Sequence, residues 1–526
     1  MTKGTTKKWR IGIGTVAGAA ILFLILHLSA HYFLRNALAS DTRQSISLDY
    51  KDASINLFTG CVTIRQPKLG LNNKEKDSLG LILMAERLQI EGFEYLDFIM
   101  NKNITVDLVH LKNPVCSGTT NKNKDSGNKD SLVSPKGNLQ DFKNIRIHKV
   151  TTENGALSLT GGDGDTTIFK MDSINLEVYH LHTNAHLLKN KIPFSFRSYH
   201  LGATNSFIGL GRYESMEISK LIVTEENLEI EDLKLSSIYD RKGLSKVLQT
   251  QRDYVGLRIP KIVLDSFQFK MVNDTLSLGF SHGAIYKPDL NMFRDKLVPE
   301  NQETKKLYGA QLKALPIYLS IPSLQITNGK IAYSELVEAG AEAGKIFFND
   351  VNATLSNIDN TPQNHKRTKI VVKAALLGQA PIALNWSFTI RDAQEDNKVS
   401  GSLFDFNTTE INGFLNSNLN AKAKGTIDEM YFSFAGNTRT AQGQMKIKYS
   451  DFEFKVLQEN GLKVNKFLTA IGNIFVSDGS KSDAQGYRYG TIETERDRQK
   501  SFFNYLWLNV RNGLLSAFTG NGKKKD

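Results

Sequence analysis

"LSIPSLQITNGKIAY", residues 319–333, is the phrase on which the fold turns. Leu319, Ile321, Leu324, Ile326, Ile331 and Tyr333 alternate with other residues at period two, the pattern of a strand with one buried face. The alternation slips by one at Pro322-Ser323. Such a slip moves side chains to the opposite face unless an extra residue bulges out. Asn328-Gly329 brings two residues at ease with positive φ, so the phrase reads as a bent strand, a tight turn and a second strand.

The phrase recurs. "IRIHKVTTENGALSL" (145–159) carries Ile145, Ile147, Val150, Asn154, Gly155, Leu157 and Leu159 in the same register, with its slip at His148-Lys149. "MEISKLIVTEENLEI" (216–230) slips at Ser219-Lys220, and "LRIPKIVLDSFQF" (257–269), with Leu257 and Ile259, slips at Pro260-Lys261. The spacing between copies is uneven, which predicts a repeated hairpin with variable insertions and not a strict solenoid.

Around this repeat, strands dominate. Three short strands are expected over 45–71. A strand, a short apolar segment (Phe93 to Met100) and a long strand ending at Pro114 follow. Residues 117–138, rich in Ser, Asn, Lys and Gly, cannot bury enough surface to order themselves and read as a flexible loop. Short helices or irregular crossings are expected within 236–254 and 288–313. No run of helices separates the strands, so an antiparallel meander is expected and a parallel βαβ sheet is not.

The ends differ from the middle. Of the net charge of +12, four positive charges sit at Lys3, Lys7, Lys8 and Arg10, and a net two come from Lys523, Lys524, Lys525 and Asp526. The remainder is spread without a basic stripe among aromatics, which disfavours nucleic acid and suits anionic lipid headgroups. Ile11 to Leu34 contains no Asp, Glu, Lys or Arg and is long enough to cross a bilayer. The charges before it predict a cytoplasmic N-terminus. A cleaved signal peptide is the alternative, with Ala37-Leu38-Ala39 as its cleavage site, but the apolar stretch exceeds the usual h-region. At the other end, 495–518 fits a helical period that puts Phe502, Phe503, Leu506, Trp507, Val510, Leu514 and Phe518 on one face. That helix either caps a sheet or lies in a membrane interface.

The expected organisation is therefore a basic tail (1–10), a transmembrane helix (11–34), a first β section (40–116), a flexible loop (117–138), a repeated β-hairpin groove (139–358), a C-terminal β section (370–480), the amphipathic helix (495–518) and a basic tail (519–526). The fold class is mainly β: an elongated, curled antiparallel sheet behind an N-terminal anchor, with a few short helices. Cys61 and Cys116 would be free to pair in an oxidising compartment, and the sequence leaves that open.

Chemistry is sparse. His180, His182 and His186 in "YHLHTNAH" lack an obvious fourth zinc ligand nearby. Asp163 and Asp165 in "TGGDGDTT" fit a hairpin turn better than a calcium loop. No Walker loop, nucleophile elbow or H-E-x-x-H is present, and no spacing nominates an acid–base pair. No catalytic residue, metal or cofactor is assigned. An antiparallel sheet with one apolar face must cover it, and here helices are few. Lipid acyl chains could provide the cover, with Ile145, Ile147, Leu157, Leu257, Ile259, Leu324, Ile326, Ile331 and Tyr333 as the groove lining. A closed β core serving as an envelope scaffold or assembly factor is the alternative.

The anchor, "ASINLFTGCVTIRQPKLG" (53–70), "AERLQIEGFEYLDFIMNKNITVDLVHLKNP" (85–114), "GTIDEMYFSFAGNTRTAQGQMKIKYSDFEFKVL" (425–457) and "ERDRQKSFFNYLW" (495–507) resemble the opening and closing sections of AsmA-like proteins. These are Gram-negative inner-membrane proteins related to bridge-like lipid-transfer proteins. The resemblance implies a single-pass inner-membrane protein with a periplasmic β-groove, phospholipid handling, a role in outer-membrane biogenesis, and no catalytic centre. The inner membrane, phospholipid acyl chains and other envelope proteins would be its partners. The chain is short for a conduit across the whole periplasm.

Overall fold

The computed structural model describes residues 46–71, 80–119, 143–162, 166–190, 192–273, 275–392, 394–457, 474–475 and 482–520. The expected transmembrane stretch 11–34, the tail 1–10, most of the loop 117–138 and residues 521–526 of the C-terminal tail lie outside these residues. Among the described residues strands account for 61 % and helices for 13 %, too little helix there to cover the sheet faces. The chain divides into two compact units: the described residues up to Leu210 with Glu217–Glu225, and Gly211–Met216 with the described residues from Glu226 onward.

Unit 1 opens with four long strands, each interrupted once. They are β1 (Ile46–Asp49) with β2 (Asp52–Asn56), β3 (Cys61–Arg65) with β4 (Lys68–Leu71), β5 (Gly80–Met84) with β6 (Arg87–Glu91), and β7 (Ile104–Lys112) with β8 (Val115–Thr119); helix α1 (Tyr95–Asn101) lies between β6 and β7. The second and fourth interruptions are Gln66-Pro67 and Asn113-Pro114, where Gln66 (φ 50°) and Asn113 (φ 47°) are left-handed and proline has no N–H to give the ladder. Two antiparallel ladders result, β2–β3–β6–β7 and β1–β4–β5–β8. Both end on β9 (Asn144–Thr160), which runs parallel to β7 and β8. Then come β10 (Thr167–Asn184), antiparallel to β9, β11 (Ser198–Gly209), antiparallel to β10, and all but the first three residues of β12 (Glu214–Thr224).

Unit 2 contains β13 (Asn227–Ser237), α2 (Arg241–Val247), β14 (Tyr254–Asp265), β15 (Gln268–Val272), β16 (Thr275–Gly279), β17 (His282–Tyr286), β18 (Asp289–Asp295), α3 (Tyr308–Lys313) and β19 (Tyr318–Leu336). After β19 come β20 (Gly344–Asp359), β21 (Thr368–Leu376), β22 (Ala380–Phe388), β23 (Asn397–Asn407), α4 (Asn412–Leu419), β24 (Ala421–Gly436), β25 (Thr440–Val456), the two-residue β26 (Ile474–Phe475), β27 (Arg488–Glu495) and α5 (Phe502–Thr519). The short helices α2 and α3 fall within 236–254 and 288–313.

The repeated phrase is not a hairpin. Residues 319–333 lie inside the single strand β19 and residues 145–159 inside β9. Asn328 (φ 59°) and Asn154 (φ 51°) are left-handed as expected, but they make β-bulges within a continuing strand. A left-handed Asn followed by Gly serves a bulge as well as a turn, and local sequence does not tell the two apart.

The two Asn-Gly copies are equivalent in three dimensions, and the equivalence extends beyond the phrase. Parallel to Asn154-Gly155 runs the Asn113-Pro114 break, and parallel to Asn328-Gly329 runs Lys287-Pro288. The residue numbers differ by a constant 174 (114 and 288, 155 and 329). The main-chain bonds match. Asn113 N–H donates to Glu153 O at 2.9 Å and Ala156 N–H to Pro114 O at 2.7 Å; Lys287 N–H donates to Thr327 O at 2.8 Å and Lys330 N–H to Pro288 O at 2.7 Å. The ladder next to them repeats in the same register, Leu88↔Leu111 in unit 1 and Ile262↔Ile285 in unit 2. The unit of repetition is thus a multi-strand module that includes a parallel crossover. The all-antiparallel expectation is corrected at these two junctions, where long connections return the chain to a strand of the same direction. The phrase at 257–269 begins in β14, which corresponds to β5 and β6, and the phrase at 216–230 spans β12 and the start of β13, so neither is equivalent to β9 or β19.

The slips at the other positions also have a structural cause. Across from Pro322, Asn357 has φ 57°; across from Pro260, Asp232 has φ 53°; across from His148, His180 has φ 52°. One left-handed residue on the partner strand changes the side-chain phase of both strands together, which keeps the apolar residues on one face.

Candidate functional site

The candidate site is the apolar face of the sheet in each unit. Residues directly opposite one another on paired strands share a face. In unit 2 the register carries one transverse row through eleven strands: Ile230, Ile262, Ile285, Ile326, Ala353, Val372, Leu384, Gly401, Phe432, Met445 and Gly490. Every member is apolar or glycine. The adjacent row one residue along is Glu229, Val263, Ala284, Gln325, Thr354, Val371, Asn385, Ser400, Ser433, Gln444 and Thr491, largely polar. Unit 1 repeats the contrast with Ile55, Val62, Ile90, Val109, Val150, Val178 and Tyr199 beside Ser54, Thr63, Gln89, His110, Thr151, Glu177 and His200.

Cover is uneven along the unit 2 row. Phe432, Met445 and Gly490 are buried, whereas Ile230, Ile262, Ile285 and Ile326 are only half-buried. The buried end belongs to a packed core that includes Trp386, Phe388, Val399, Leu403, Phe434, Ile447 and Ile492, closed over by α5. Trp386 stacks on Phe502 with ring centroids 4.2 Å apart and donates Nε1–H to Asn397 Oδ1 at 2.9 Å.

Helix α5 caps the sheet with a face rotated from the expected one. Phe502, Tyr505, Asn509, Gly513 and Ala517 are buried, while Phe503 and Trp507 are 58 % and 44 % exposed. Leu506, Val510, Leu514 and Phe518 pack at its flanks. The cause is close approach: a Cβ on Gly490 of β27 would come within 2.2 Å of Gly513 O, so the small residues of α5 settle onto the strand and the bulkier ones are displaced sideways.

The nine expected lining residues are distributed over both units. Leu257 and Ile331 fall in one row with Leu235, Leu290, Phe348 and Leu376; Ile326 and Leu324 lie in successive rows beyond the row that pairs Gly329 with Val351; Tyr333 pairs with Met292 and Ile346. Ile259 faces Leu233 and is the buried member of the set. In unit 1, Ile147 lies between Val106 and Leu181, Leu157 between Cys116 and Met171, and Ile145 between Ile104 and Thr183. The sequence pattern missed Trp386, Phe432 and Met445, since no repeated phrase marks β22 to β25. Plain alternation in "APIALNWSFTI", "EMYFSFAG" and "GQMKIKY" is the signal that would have found them.

Past Tyr333 the same face of unit 2 turns polar. Arg294 makes a bidentate pair with Asp253 at 2.7 and 2.6 Å, and Glu335 accepts from Tyr333 Oη at 2.6 Å and pairs with Lys296 at 2.7 Å. Burial, together with the Glu335 carboxylate beside it, pushes the Tyr333 phenol well above its ordinary range. These charges mark an end to the apolar surface.

Among the described residues no group of three or more His, Cys, Asp or Glu side chains is placed to hold a metal ion. His182 meets Asn144 Oδ1 at 3.3 Å, His180 lies 5.9 Å from the His148 ring, and His186 is exposed, so the three histidines do not converge. The glycine-rich stretch closes the β9–β10 turn through Gly161 N–H to Thr166 O at 2.8 Å; Asp163 and Asp165 lie outside the described residues. Cys61 and Cys116 are both free. No described helix is long and apolar enough to cross a membrane. No known family model matches the chain, and no curated protein matches it.

Proposed function

We propose that this chain is a membrane-anchored β-groove protein whose apolar sheet faces bind or guide phospholipid acyl chains on the periplasmic side of an inner membrane, in support of outer-membrane biogenesis. One observation carries the reading: a register-aligned apolar row crosses eleven strands of unit 2, yet its Ile230–Ile262–Ile285–Ile326 end is only half-buried. Left in water, apolar surface costs about 25 cal/mol per Å², and an acyl chain laid along the row removes that cost. The polar row on the other face keeps the outside wet. The apolar stretch 11–34 is the anchor in this reading, and the AsmA-like pattern of the opening and closing segments agrees with it. No catalytic centre is needed.

A second reading, an envelope scaffold with a closed β core, draws on the filled core beneath α5, where Ile447 and Ile492 are fully buried. The two predict different purifications. Full-length chain extracted in mild detergent and analysed by mass spectrometry carries diacyl phospholipid in the first reading. A lipid-free chain with a protein partner retained on crosslinking rejects it in favour of the scaffold.

A further inference from the structure

Helix α1 of unit 1 wears its amphipathic character inside out. On its inner side the Phe93 ring meets Tyr95 at 5.2 Å and Phe98 at 5.6 Å. Asp97 accepts from Asn101, Asn103 and Thr105 at 2.8, 3.1 and 3.2 Å, which ties the helix to β7. The helix ends at left-handed Lys102, whose N–H returns to Phe98 O at 3.1 Å. That leaves Leu96, Ile99 and Met100, the i, i+3, i+4 stripe, pointing out of the fold at 76 %, 73 % and 77 % exposure. Phe58, in the β2–β3 turn, is 79 % exposed, and Phe93 N–H to Gly60 O at 3.3 Å joins that turn to the foot of α1. These are the four most exposed large apolar side chains among the described residues.

The shape and charge of this tip select its partner. Among the described residues, the shallow open hollow beside Leu96 and Met100 is walled only by α1 and its N-cap Glu94, so these three-quarters-exposed side chains stand out as a protrusion; a bilayer yields around a protrusion, whereas a protein partner must supply a matching pocket. Three exposed cations flank it: Lys102, Lys143, whose N–H donates to Lys102 O at 3.1 Å, and Arg146. Glu94 and the tethered Asp97 are the carboxylates of the helix itself. Chain length permits contact with the same membrane as the apolar stretch 11–34. From Ile46 to Asn56 the β1–β2 strand covers about 33 Å, and the linking residues 35–45 can extend over about 36–40 Å.

We propose that α1 and the β2–β3 turn form a membrane-insertion tip, in which Leu96, Ile99, Met100 and Phe58 enter the acyl boundary of an anionic lipid surface while Lys102, Lys143 and Arg146 meet its phosphates. This contact is separate from acyl-chain binding on the sheet faces and stands without it.

Photo-crosslinking tests it. The full chain is reconstituted into phosphatidylcholine vesicles containing phosphatidylglycerol and a phospholipid with a diazirine in its acyl chain, and adducts are mapped by mass spectrometry. Adducts over residues 95–101 are expected. In the L96S/I99S/M100S variant their yield falls about ten-fold, with an unchanged melting curve because all three side chains are exposed. K102Q/K143Q/R146Q lowers the yield in anionic vesicles and not in pure phosphatidylcholine. Absence of adducts over 95–101, whatever else is labelled, overturns the proposal, as does a yield that the triple serine variant leaves unchanged. Adducts within 318–336 report on the sheet face, so the two readings fail separately.

Discussion

Asn154 donates its main-chain N–H to the side-chain oxygen of Asn175 at 3.0 Å, and Asn328 donates to Asn352 at 3.1 Å in the corresponding place of the second unit. The acceptor is held the same way in both: Asn175 Nδ2 donates to Ser173 O at 3.1 Å and Asn352 Nδ2 to Asp350 O at 2.8 Å, with Ser173 and Asp350 both left-handed. In unit 1 the chain of amides continues, Asn154 to Asn113 at 3.1 Å and Asn113 to Glu86 at 2.6 Å. A line of bulges crosses the strands, stitched by asparagine side chains.

The left-handed backbone at these bulges makes a sharp prediction. Asn328→Gly should be close to neutral, since Gly takes φ 59° without strain and the donated N–H remains. Asn328→Val should cost about 1–3 kcal/mol, because a β-branched residue resists positive φ. Thermal melts of the two variants beside the parent give the comparison; equal losses would mean that the side chain of Asn328, and not its backbone, holds the bulge.

Contact between α5 and β27 rests on Gly490. A methyl there would meet Gly513 O at 2.2 Å and Ala517 N at 2.8 Å, both main chain and unable to rotate away. Gly490→Ala should lift the helix, at a cost of roughly 1–3 kcal/mol or more. Amide exchange over Phe502–Thr519 should then rise sharply while that of β19 stays unchanged. Uniform protection across the chain would show that the helix tolerates the shift.

Much of the architecture was legible in the letters, and what failed did so for identifiable reasons. Period-two alternation revealed the strands and the phase slips revealed the kinks, because Pro322 and Pro260 stand opposite left-handed residues. Asn-Gly was misjudged as a turn since φ is all that the pair specifies. Whether the chain reverses after it depends on the Asn113-Pro114 or Lys287-Pro288 strand lying alongside, 41 residues earlier in each case (154 less 113, 328 less 287). The buried face of α5 was misplaced because periodicity weighs bulk, while Gly490 and Gly513 reward smallness at the contact. On the candidate lining, every nominated residue lies in a strand, but the covered part of the face around Trp386 carries no repeated phrase and escaped notice.

Glu429 gives the fold a pH signature. Hydrogen bonds from Tyr487 Oη at 2.8 Å and Tyr431 Oη at 2.9 Å hold its carboxyl below the usual carboxylate range, and the same contact pushes Tyr487 from 10 up to about 12. A lowered carboxyl stabilises the fold above its ordinary titration range, and that contribution is lost as pH falls through the folded value. A raised phenol stabilises below pH 10, and the contribution is lost as pH rises from 10 to about 12. The melting temperature of Glu429→Gln should therefore lie below the parent at neutral pH and converge on it at both extremes. A constant offset across the range would assign the effect to shape and not to charge.

A charge on the half-buried row tests the proposal that this face holds lipid while the other meets water. Ile326 pairs with Ile285 on one side and Ala353 on the other, and one position along, Gln325 pairs with Ala284 and Thr354. A carboxylate at Ile326 would have to be desolvated by an acyl chain, at a cost of several kcal/mol that the chain cannot repay, so Ile326→Asp should reduce co-purified phospholipid by at least about ten-fold. Thr354→Asp puts the same charge on the polar row and should leave the lipid content unchanged. Ile326→Leu, which keeps volume and greasiness, should retain the lipid and serve as the control for packing. Mass spectrometry of lipid extracted per mole of each variant decides. Equal lipid loss from Ile326→Asp and Thr354→Asp would mean that the lipid associates with the protein through its charge or its anchor, and the sheet face would no longer be the site.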